Sequence, residues 1–320
     1  MTYRWRNRAL VIAGILITAV SMHSIVKLSS KKNSDNQTLH EVQKNKKSQQ
    51  LIIGWYDWDD ARLVSLMAEE LIETHYELPV KLTKAAIGIQ YEAVAQGDID
   101  LMLMAWLPKL HKKYWAKVST RVLDLGPMYS GRVGWVVPDY VPKASVGSMS
   151  DLTNPNVASV FKGTVQGIDP GSGLMQSSKE ALNIYELTKI KLVSASDAAM
   201  TAVLDQAIRD KQWVVVTGWT PHWMFARYQL RFLKDPKGVF GGQEGIHAIA
   251  RLGLDKDHPK VVAFLTRFNI PDDQLAALLL AAQESSPEQA VNDYLVANPK
   301  RVDYWMNGTI QEPVIKADKP

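Results

Sequence analysis

The amino-acid sequence predicts an α/β protein of two lobes, with a parallel sheet in each lobe and helices covering the sheets. Apolar strand segments alternate with amphipathic helical segments from residue 51 onwards, and this alternation restarts near residue 138. After residue 250 the pattern is that of helices only. Alternating strands and helices imply parallel sheets covered by helices. A chain of 320 residues is long enough to bury the core that such a fold needs.

The first lobe is predicted over residues 51–137, where short apolar runs alternate with segments whose apolar residues recur at helical spacing. The predicted strands are Leu51–Ile53, Val80–Leu82, Ile99–Met104 and Val133–Val137. The predicted helices are a segment that begins at Asp59, Ala86–Gln96 and Pro108–Lys117. Aspartate often caps the start of a helix, so Asp59 and Asp60 are expected to begin one. Glycine often ends a helix, so Gly97 is expected to end one.

The second lobe is predicted over residues 138–241, after which the chain returns to the first lobe over 242–306 and ends in a tail at 307–320. The predicted strands are Thr164–Ile168, Lys191–Ser194, Trp213–Thr217 and Ile246–Ala250. The predicted helices are Ser172–Leu187, Asp197–Asp210, a short helix near Pro221, Val261–Phe268, Asp272–Gln283 and Pro287–Ala297. Two passages of the chain between the lobes form a two-crossing hinge, the layout of a domain that closes on a ligand.

The first fifty residues have the pattern of an export segment followed by a spacer. Three arginines precede the apolar run Ala9–Val20, so residues 1–21 are expected to form a signal peptide that is cleaved after about Ser21. A membrane anchor over residues 9–26 is the alternative, since about 18 apolar residues are near the lower limit for a span. Either arrangement puts the rest of the chain outside the cytoplasm. Residues 22–50 are rich in Lys, Ser, Asn and Gln, which predicts a flexible tether.

The charge of the chain is distributed unevenly. Residues 1–50 contain nine Lys or Arg and two acidic residues, whereas the remainder contains 28 basic and 31 acidic residues. The folded part is therefore mildly acidic, which argues against a nucleic-acid partner, because phosphate binding needs clustered positive charge. The sequence has no cysteine, which excludes disulfides, thiolate metal sites, a catalytic thiol and a lipid-modified N-terminal cysteine.

The sequence contains no recognisable catalytic motif, and neither a cofactor nor a metal is predicted. The histidines are scattered, without a pair at metal-ligand spacing. The glycine-rich stretch Gly167–Gly173 joins the end of a predicted strand to the start of a predicted helix, where unpaired backbone N–H groups favour an anion such as a carboxylate. A tight turn that needs Gly and Pro for its geometry alone is the alternative.

Three of the ten tryptophans fall at equivalent places in the predicted sheets. Trp58, Trp106 and Trp219 each follow a predicted strand, and ligands of α/β proteins sit at the carboxyl ends of parallel strands. Aromatic faces attract a quaternary ammonium, so the three rings predict a cage for such a cation. Core packing is the alternative for each ring. His111 lies at the start of the next helix, where it can donate to a ligand carboxylate or stand exposed among lysines.

The segments around these residues resemble the glycine betaine/proline betaine substrate-binding proteins of ABC-type osmoprotectant importers. The matching segments are Trp58-Asp59, Ala-Trp-Leu-Pro at 105–108 with His111, Gly-Ile-Asp-Pro-Gly-Ser-Gly-Leu-Met at 167–175, Val-Thr-Gly-Trp-Thr-Pro-His-Trp-Met-Phe at 216–225, Asp-Pro-Lys-Gly-Val-Phe-Gly at 235–241 and Ile-His-Ala-Ile-Ala-Arg at 246–251. The resemblance covers about residues 51–306. It implies the two-lobed periplasmic-binding-protein fold, type II-like.

The resemblance also implies ligand-binding roles for six residues. These are Trp58, Trp106 and Trp219 around the trimethylammonium group and, around the carboxylate, the backbone amides of Gly167 and Ile168 with the side chain of His111. Many relatives carry a lipidated cysteine at the N-terminus, and this chain has none. That departure favours a free periplasmic protein or one tethered to the membrane.

The function implied by the resemblance is capture of glycine betaine or a related quaternary ammonium carboxylate by a non-enzymatic, monomeric periplasmic protein. The loaded protein would deliver the ligand to the permease of an ABC transporter in the inner membrane. Two alternatives stay open: a tethered sensor of betaine- or choline-type ligands, and an enzyme that acts on choline-like compounds with His111 as base. Choline is less suitable because it has no carboxylate. The choice among glycine betaine, proline betaine, carnitine and a sulfonium analogue depends on pocket volume.

Overall fold

The structure is a computed structural model that describes residues 50–308. The predicted export segment, nearly all of the predicted tether and the tail beyond residue 308 lie outside the described residues. Within the described range, no helix combines the length and the apolar character that crossing a membrane requires.

Strands alternate with helices along residues 50–308, as the sequence predicts. The strands are β1 (Leu51–Trp55), β2 (Val80–Lys84), β3 (Leu101–Leu107), β4 (Val122–Pro138), β5 (Thr164–Gln166), β6 (Lys191–Val193), β7 (Val216–Thr220), β8 (Leu230–Phe232) and β9 (Glu244–Arg251). The helices are α1 (Asp59–Tyr76), α2 (Ile87–Gln96), α3 (Lys112–Val118), α4 (Pro155–Val160), α5 (Gly173–Ile184), α6 (Asp197–Arg209), α7 (Trp223–Arg227), α8 (Leu254–Asp257), α9 (Pro259–Leu265), α10 (Asp272–Glu284), α11 (Pro287–Ala297) and α12 (Pro299–Asn307).

The strands form two sheets that share β4. The first sheet has the order β2-β1-β3-β9-β4, and the second continues as β4-β7-β5-β6 with β8 also paired to β4. Strands joined through helices run parallel: β1 with β2 and β3, and β5 with β6 and β7. The strands that carry the chain between the lobes run antiparallel to their neighbours, because β9 returns in the direction opposite to β4. Each sheet is therefore mixed rather than purely parallel.

Strand β4 is one of the two passages between the lobes. It pairs with β9 as far as Gly131 and with β7 from Arg132 onwards, so the change of sheet falls inside a single strand. The sequence predicted only Val133–Val137 as a strand here, because Gly126, Pro127 and Gly131 interrupt the apolar pattern. The lobe border at residue 137 stays a prediction.

Helix borders follow the residue types that predict them. Helix α1 begins at Asp59 and carries two aspartates in its first turn, and α2 is capped at its C-terminus by Gly97, whose φ of 76° is left-handed. Helix α11 has the predicted bounds. Helix α12 was not predicted separately, and its Trp305 is fully buried.

Two strands end later than the sequence predicts, which changes where Trp106 and Trp219 lie. Strand β3 extends to Leu107 and β7 extends to Thr220, so Trp106 and Trp219 lie inside their strands rather than after them. The pairing of Trp106 with Ile246 of β9, and of Trp219 with Val133 of β4, extends the strands that far. Both residues stand next to the last residue of their strand, so they still reach the same edge of the sheets.

Candidate ligand-binding cleft

A cavity lies between the two sheets, at the ends of β3 and β7. It is lined by Trp58, Asp60, Trp106, Leu110, His111, Val133, Ile168, Ser172, Gly173, Leu174 and Trp219. Its free space, counted with the open mouth, is about 320 Å³. The three tryptophans, His111 and Ile168 thus meet at one place, as the sequence predicts, with contributions from both sheets.

Each tryptophan of the cavity is held by its own surroundings. Trp58 precedes α1 and meets the ring of Tyr56 edge-on, with centroids 5.0 Å apart. The Trp106 ring packs over Gly131, where a β-carbon would lie only 2.6 Å from the ring. Trp219 meets His222 edge-on at 4.5 Å. The rings are nearly buried yet line a cavity, so they are placed to contact a small enclosed ligand.

His111 is the N-cap residue of α3, and it is 2% exposed. This position excludes the alternative of an exposed histidine among lysines. Its Nδ1 accepts a hydrogen bond from the backbone N–H of Trp106 at 3.1 Å, and the hydroxyl of Tyr91 lies 3.2 Å from the same nitrogen. Because a backbone N–H can only donate, Nδ1 carries no hydrogen and Nε2 carries it. Burial lowers the pKa of His111 to about 3, so the ring is neutral at physiological pH.

Two tyrosines hold the His111 ring in place. Tyr91 and Tyr114 stack on one another at 5.6 Å, and both meet the imidazole edge-on, at 5.7 and 6.0 Å. Among the described residues, no group forms a hydrogen bond to Nε2 of His111, which leaves this N–H free for a ligand in the cavity. The side chain therefore has one orientation and one available donor.

The glycine-rich turn requires a correction to the predicted donors. The N–H of Gly167 donates to the carbonyl of Val193 at 2.8 Å, which continues the ladder between β5 and β6. That N–H is therefore already occupied, and Gly167 does not line the cavity. Ile168 does line it, and no described group accepts a hydrogen bond from its N–H.

Helix α5 adds donors that the sequence analysis missed. Ser172 caps this helix, with its Oγ accepting the N–H of Met175 at 3.2 Å, and Gly173 and Leu174 form the first turn at the cavity. The first N–H groups of a helix have no partner within it and favour an anion. A β-carbon at Gly173 would lie 2.5 Å from the carbonyl oxygen of Leu110. Glycine is thus required for this close approach between the lobes.

Asp60 is a cavity residue that the sequence analysis interpreted only as a helix cap. It is fully buried; its Oδ2 accepts the hydroxyl of Tyr129 at 2.8 Å, and its Oδ1 has no hydrogen-bond partner among the described residues. Burial raises the pKa of Asp60 to about 6. An ionised carboxylate with an unpaired buried oxygen is unfavourable by itself. In the sequence, the sign that Asp60 could reach this cavity was its position two residues after Trp58.

A polar cluster lies beside the three cavity tryptophans and joins the lobes. Asp59 Oδ2 accepts the indole N–H of Trp223 at 2.7 Å, and Nε2 of His222 lies 3.2 Å from Asp197. Oxygen and nitrogen atoms of Asp59, Asp197 and His222 approach within 4.8 Å of one another, the spacing of a metal site. However, Nδ1 of His222 accepts the N–H of Met224 at 3.1 Å. The hydrogen must then lie on Nε2, where a metal would bind, so this geometry fits hydrogen bonding instead.

Further hydrogen bonds span the cleft. The hydroxyl of Tyr114 donates to the carbonyl of Gly171 at 2.7 Å, and the amine of Lys109 donates to the carbonyl of Val239 at 2.7 Å. In both cases the donor belongs to the first lobe and the acceptor to the second. The structure therefore shows the cleft in a closed arrangement.

Comparison with known proteins agrees with this architecture. A family model described as the substrate-binding domain of ABC-type glycine betaine transport systems (OpuAC) matches residues 49–297. A curated relative, the glycine betaine/carnitine transport binding protein GbuC of Listeria monocytogenes serotype 1/2a (strain 10403S), is 40% identical over 148 residues. These residues are 45% of this chain and 49% of GbuC, so the match spans about half the length of that relative.

Solved structures extend the similarity over most of the chain. Lactococcal OpuAC, in a closed conformation complexed with glycine betaine, is 36% identical, with a TM-score of 0.74 over 81% of this chain and 99% of its own. The ProX protein of Borrelia burgdorferi is 30% identical, with a TM-score of 0.73 over 80% and 96%. An ABC-transporter choline-binding protein at 18% identity and a TM-score of 0.75, covering 83% and 94%, shares the fold. The two-lobed periplasmic-binding-protein fold is thus confirmed, and the chain belongs to the family of substrate-binding domains of ABC-type glycine betaine transport systems.

Proposed function

We propose that this protein captures glycine betaine, or a closely related quaternary ammonium carboxylate, outside the cytoplasm and delivers it to the permease of an ABC transporter in the inner membrane. The observation that carries this proposal is the polarity of the cavity. Its lining combines three indole rings and a carboxylate with a neutral imidazole N–H and backbone N–H groups. A zwitterion with a methylated cation at one end and a carboxylate at the other matches both kinds of group.

The cationic end of the ligand would lie among Trp58, Trp106 and Trp219. A trimethylammonium group has no N–H to donate, so aromatic faces suit it better than hydrogen-bond acceptors do, at about 1–2 kcal/mol per ring once desolvated. Asp60 adds a negative charge whose Oδ1 has no other partner in the described structure. The cation would therefore offset the cost of burying the Asp60 carboxylate without a partner, in addition to contacting the rings.

The carboxylate end would lie against His111 and the start of α5. The N–H at Nε2 of His111 and that of Ile168 are the two donors that best fit the cavity, with the first turn of α5 at Gly173 and Leu174 beside them. Charge-assisted hydrogen bonds of this kind are about twice as strong as neutral ones. This donor set replaces the predicted pair of Gly167 and Ile168.

Binding would couple to closure because the two lobes supply complementary parts of the site. Trp58, Trp106 and His111 come from the first lobe, and Trp219 and Ile168 from the second. A ligand that contacts both lobes binds the closed form more tightly than the open form. Its binding therefore shifts the protein towards the closed form. The closed form would then be what the permease recognises.

The size of the cavity favours the smaller betaines. The cavity is narrow, because three nearly buried indole rings and the buried His111 surround it. Glycine betaine has a single methylene between its charged groups, whereas carnitine has a longer, hydroxylated chain. We therefore expect glycine betaine to bind more tightly than carnitine, and choline, which lacks a carboxylate, to bind more weakly than both.

Enzymatic use of His111 is disfavoured by its environment. A general base works best with a pKa near the working pH, and burial holds the pKa of His111 at about 3. The family and the curated relative are transport binding proteins. We accordingly propose a monomeric, non-enzymatic protein that acts outside the cytoplasm, either free after cleavage of its export segment or tethered by it.

Calorimetric titration of the purified full-length protein with glycine betaine, carnitine and choline tests the proposal. Micromolar affinity for glycine betaine (about −8 kcal/mol) is expected. Trp106→Ala and Trp219→Ala should each weaken binding about tenfold, whereas Trp213→Ala, which alters an indole packed against Phe161 rather than the cavity, should not. Undiminished affinity in both cage variants would overturn the cage.

A further inference from the structure

We propose that Asp59 and Trp223 form a latch, a hydrogen bond between the two lobes that holds the cleft closed and sets the rate of ligand release. The latch rests on the proposed function, because it acts on the ligand-bound form. Neither residue lines the cavity, so both would act as positioning residues rather than as ligand contacts.

The geometry of the latch is that of a charge-assisted hydrogen bond between lobes. Asp59 opens α1 after the first strand of the first lobe, and Trp223 opens α7 after β7 of the second lobe. The indole N–H of Trp223 donates to Oδ2 of Asp59 at 2.7 Å, and the amide of Gln283 donates to the same oxygen at 3.1 Å. Since Gln283 belongs to the segment that returns to the first lobe, the bond from Trp223 is the one of these two that must break when the lobes separate.

Both ends of the latch adjoin the cage. Asp59 follows Trp58 directly in the chain, so the backbone that positions the latch carboxylate also positions a cage ring. At the other end, His222 lies between Trp219 and Trp223, with ring centroids 4.5 Å and 5.4 Å away respectively. A ligand that draws Trp58 and Trp219 together therefore also brings Asp59 within hydrogen-bond distance of Trp223.

The indole of Trp223 is held in an orientation that suits a donor. The guanidinium of Arg227 lies 4.9 Å from its ring, and the ring of Tyr228 lies at 6.2 Å. The second lobe thus presents the indole N–H in a fixed direction whether or not Asp59 is near. Such a preorganised donor loses little conformational freedom on closure, so most of the strength of the hydrogen bond remains available to stabilise the closed form.

The variant Trp223→Phe removes the N–H and keeps an aromatic ring against His222 and Arg227. We expect the dissociation rate of glycine betaine, followed by stopped-flow tryptophan fluorescence, to increase about tenfold, with the association rate changed less than twofold. Asp59→Asn keeps an oxygen acceptor without the charge and should give an intermediate dissociation rate. Trp213→Phe, a matched substitution in the same lobe away from the cleft, should leave both rates at their wild-type values.

The melting temperature of the ligand-free protein separates a latch from a purely structural contact. A latch that forms on closure should leave this temperature unchanged in Trp223→Phe and should reduce only the increase caused by glycine betaine. A dissociation rate in Trp223→Phe equal to that of the wild type would overturn the latch. So would a drop in the melting temperature of ligand-free Trp223→Phe large enough to explain its weaker binding. If the wild-type protein bound no betaine, the proposed function would fail and the latch with it, an outcome distinct from normal binding with an unchanged rate.

Discussion

Trp106 and His111 hold one another through two hydrogen bonds. The backbone N–H of Trp106 donates to Nδ1 of His111 at 3.1 Å, and the backbone N–H of His111 donates to the carbonyl of Trp106 at 3.0 Å. One pair of contacts thereby fixes the position of a cage ring and the tautomer of the imidazole. The proposed cation site and the proposed carboxylate site are thus joined by the same short turn, so their separation is set within six residues of the chain.

His111→Ala should weaken the binding of glycine betaine by about tenfold to a hundredfold. The variant removes a charge-assisted hydrogen bond to the ligand carboxylate, a contribution of about 1.5–3 kcal/mol. Choline has no carboxylate, so its affinity should change much less. Calorimetric titration with the two ligands measures the difference directly.

A matched control distinguishes ligand recognition from damage to the turn. His75 is exposed on α1, away from the cavity, and His75→Ala should leave both affinities unchanged. If His111→Ala weakened choline and glycine betaine equally, His111 would be supporting Trp106 rather than binding a carboxylate.

Asp60 should make the affinity for glycine betaine depend on pH. Burial raises the pKa of this carboxyl to about 6, so Asp60 is ionised at pH 8 and mostly protonated at pH 5. Only the ionised form attracts the trimethylammonium group, while the carboxylate of the ligand stays ionised throughout. We expect the dissociation constant to rise as the pH falls through 6, by about tenfold in total, as measured by titrations between pH 8 and pH 5.

Asp60→Asn tests whether Asp60 is the titrating group. The variant should bind glycine betaine at all pH values with roughly the affinity that the wild type shows at pH 5. His222 and Asp197 also act on Asp60 electrostatically, and Tyr129 donates to it. A pH dependence that persisted unchanged in Asp60→Asn would place the titration at His222 instead.

Asp60→Asn should also stabilise the ligand-free protein at pH 7. The pKa of Asp60 is raised from 3.8 to about 6 on folding, so the folded state binds more protons between these values and stability falls as the pH rises through this window. Asparagine keeps an acceptor for Tyr129 and buries no charge. The free energy of unfolding should therefore rise by about 1–3 kcal/mol at pH 7 and by little at pH 4. Ligand-free thermal denaturation at both pH values measures this, and destabilisation at pH 7 would contradict it.

The sequence predicted that the three tryptophans lie at one place because their local context marks them. Trp106 and Trp219 each stand two residues before a proline near a strand end, and their segments resemble a known family over long motifs. Their exact places inside β3 and β7 could not be predicted, because pairing with β9 and β4 involves residues far away in the chain. Long-range pairing, not local propensity, decided where those strands end.

The donors that we propose for the carboxylate were harder to predict for a similar reason. Whether the N–H of Gly167 is free depends on the carbonyl of Val193, which belongs to the neighbouring strand. The role of Asp60 depends on its burial against Tyr129, 69 residues later in the chain. In a sequence, an aspartate at a helix start looks like an exposed cap, and only the packed structure shows that one of its oxygens is buried with no partner among residues 50–308.

Gly173→Ala should block closure without harming the fold. A β-carbon at this position would lie 2.5 Å from the carbonyl oxygen of Leu110, which belongs to the opposite lobe. The N–H groups of Leu110 and Lys109 donate to Glu244 at 2.9–3.2 Å, so this loop is held and has little freedom to retreat. We expect glycine betaine affinity to fall at least tenfold, because the fully closed form becomes inaccessible.

The control for this prediction is Gly242→Ala, where an added β-carbon meets nothing within 4 Å. It should bind glycine betaine as the wild type does. Because the clash at Gly173 arises between lobes, the ligand-free melting temperature of Gly173→Ala should stay close to that of the wild type, and alanine at the first position of α5 is compatible with a helix. Small-angle scattering should show that saturating glycine betaine compacts the wild type and not this variant. Equal compaction of both proteins would mean that the lobes meet in another way.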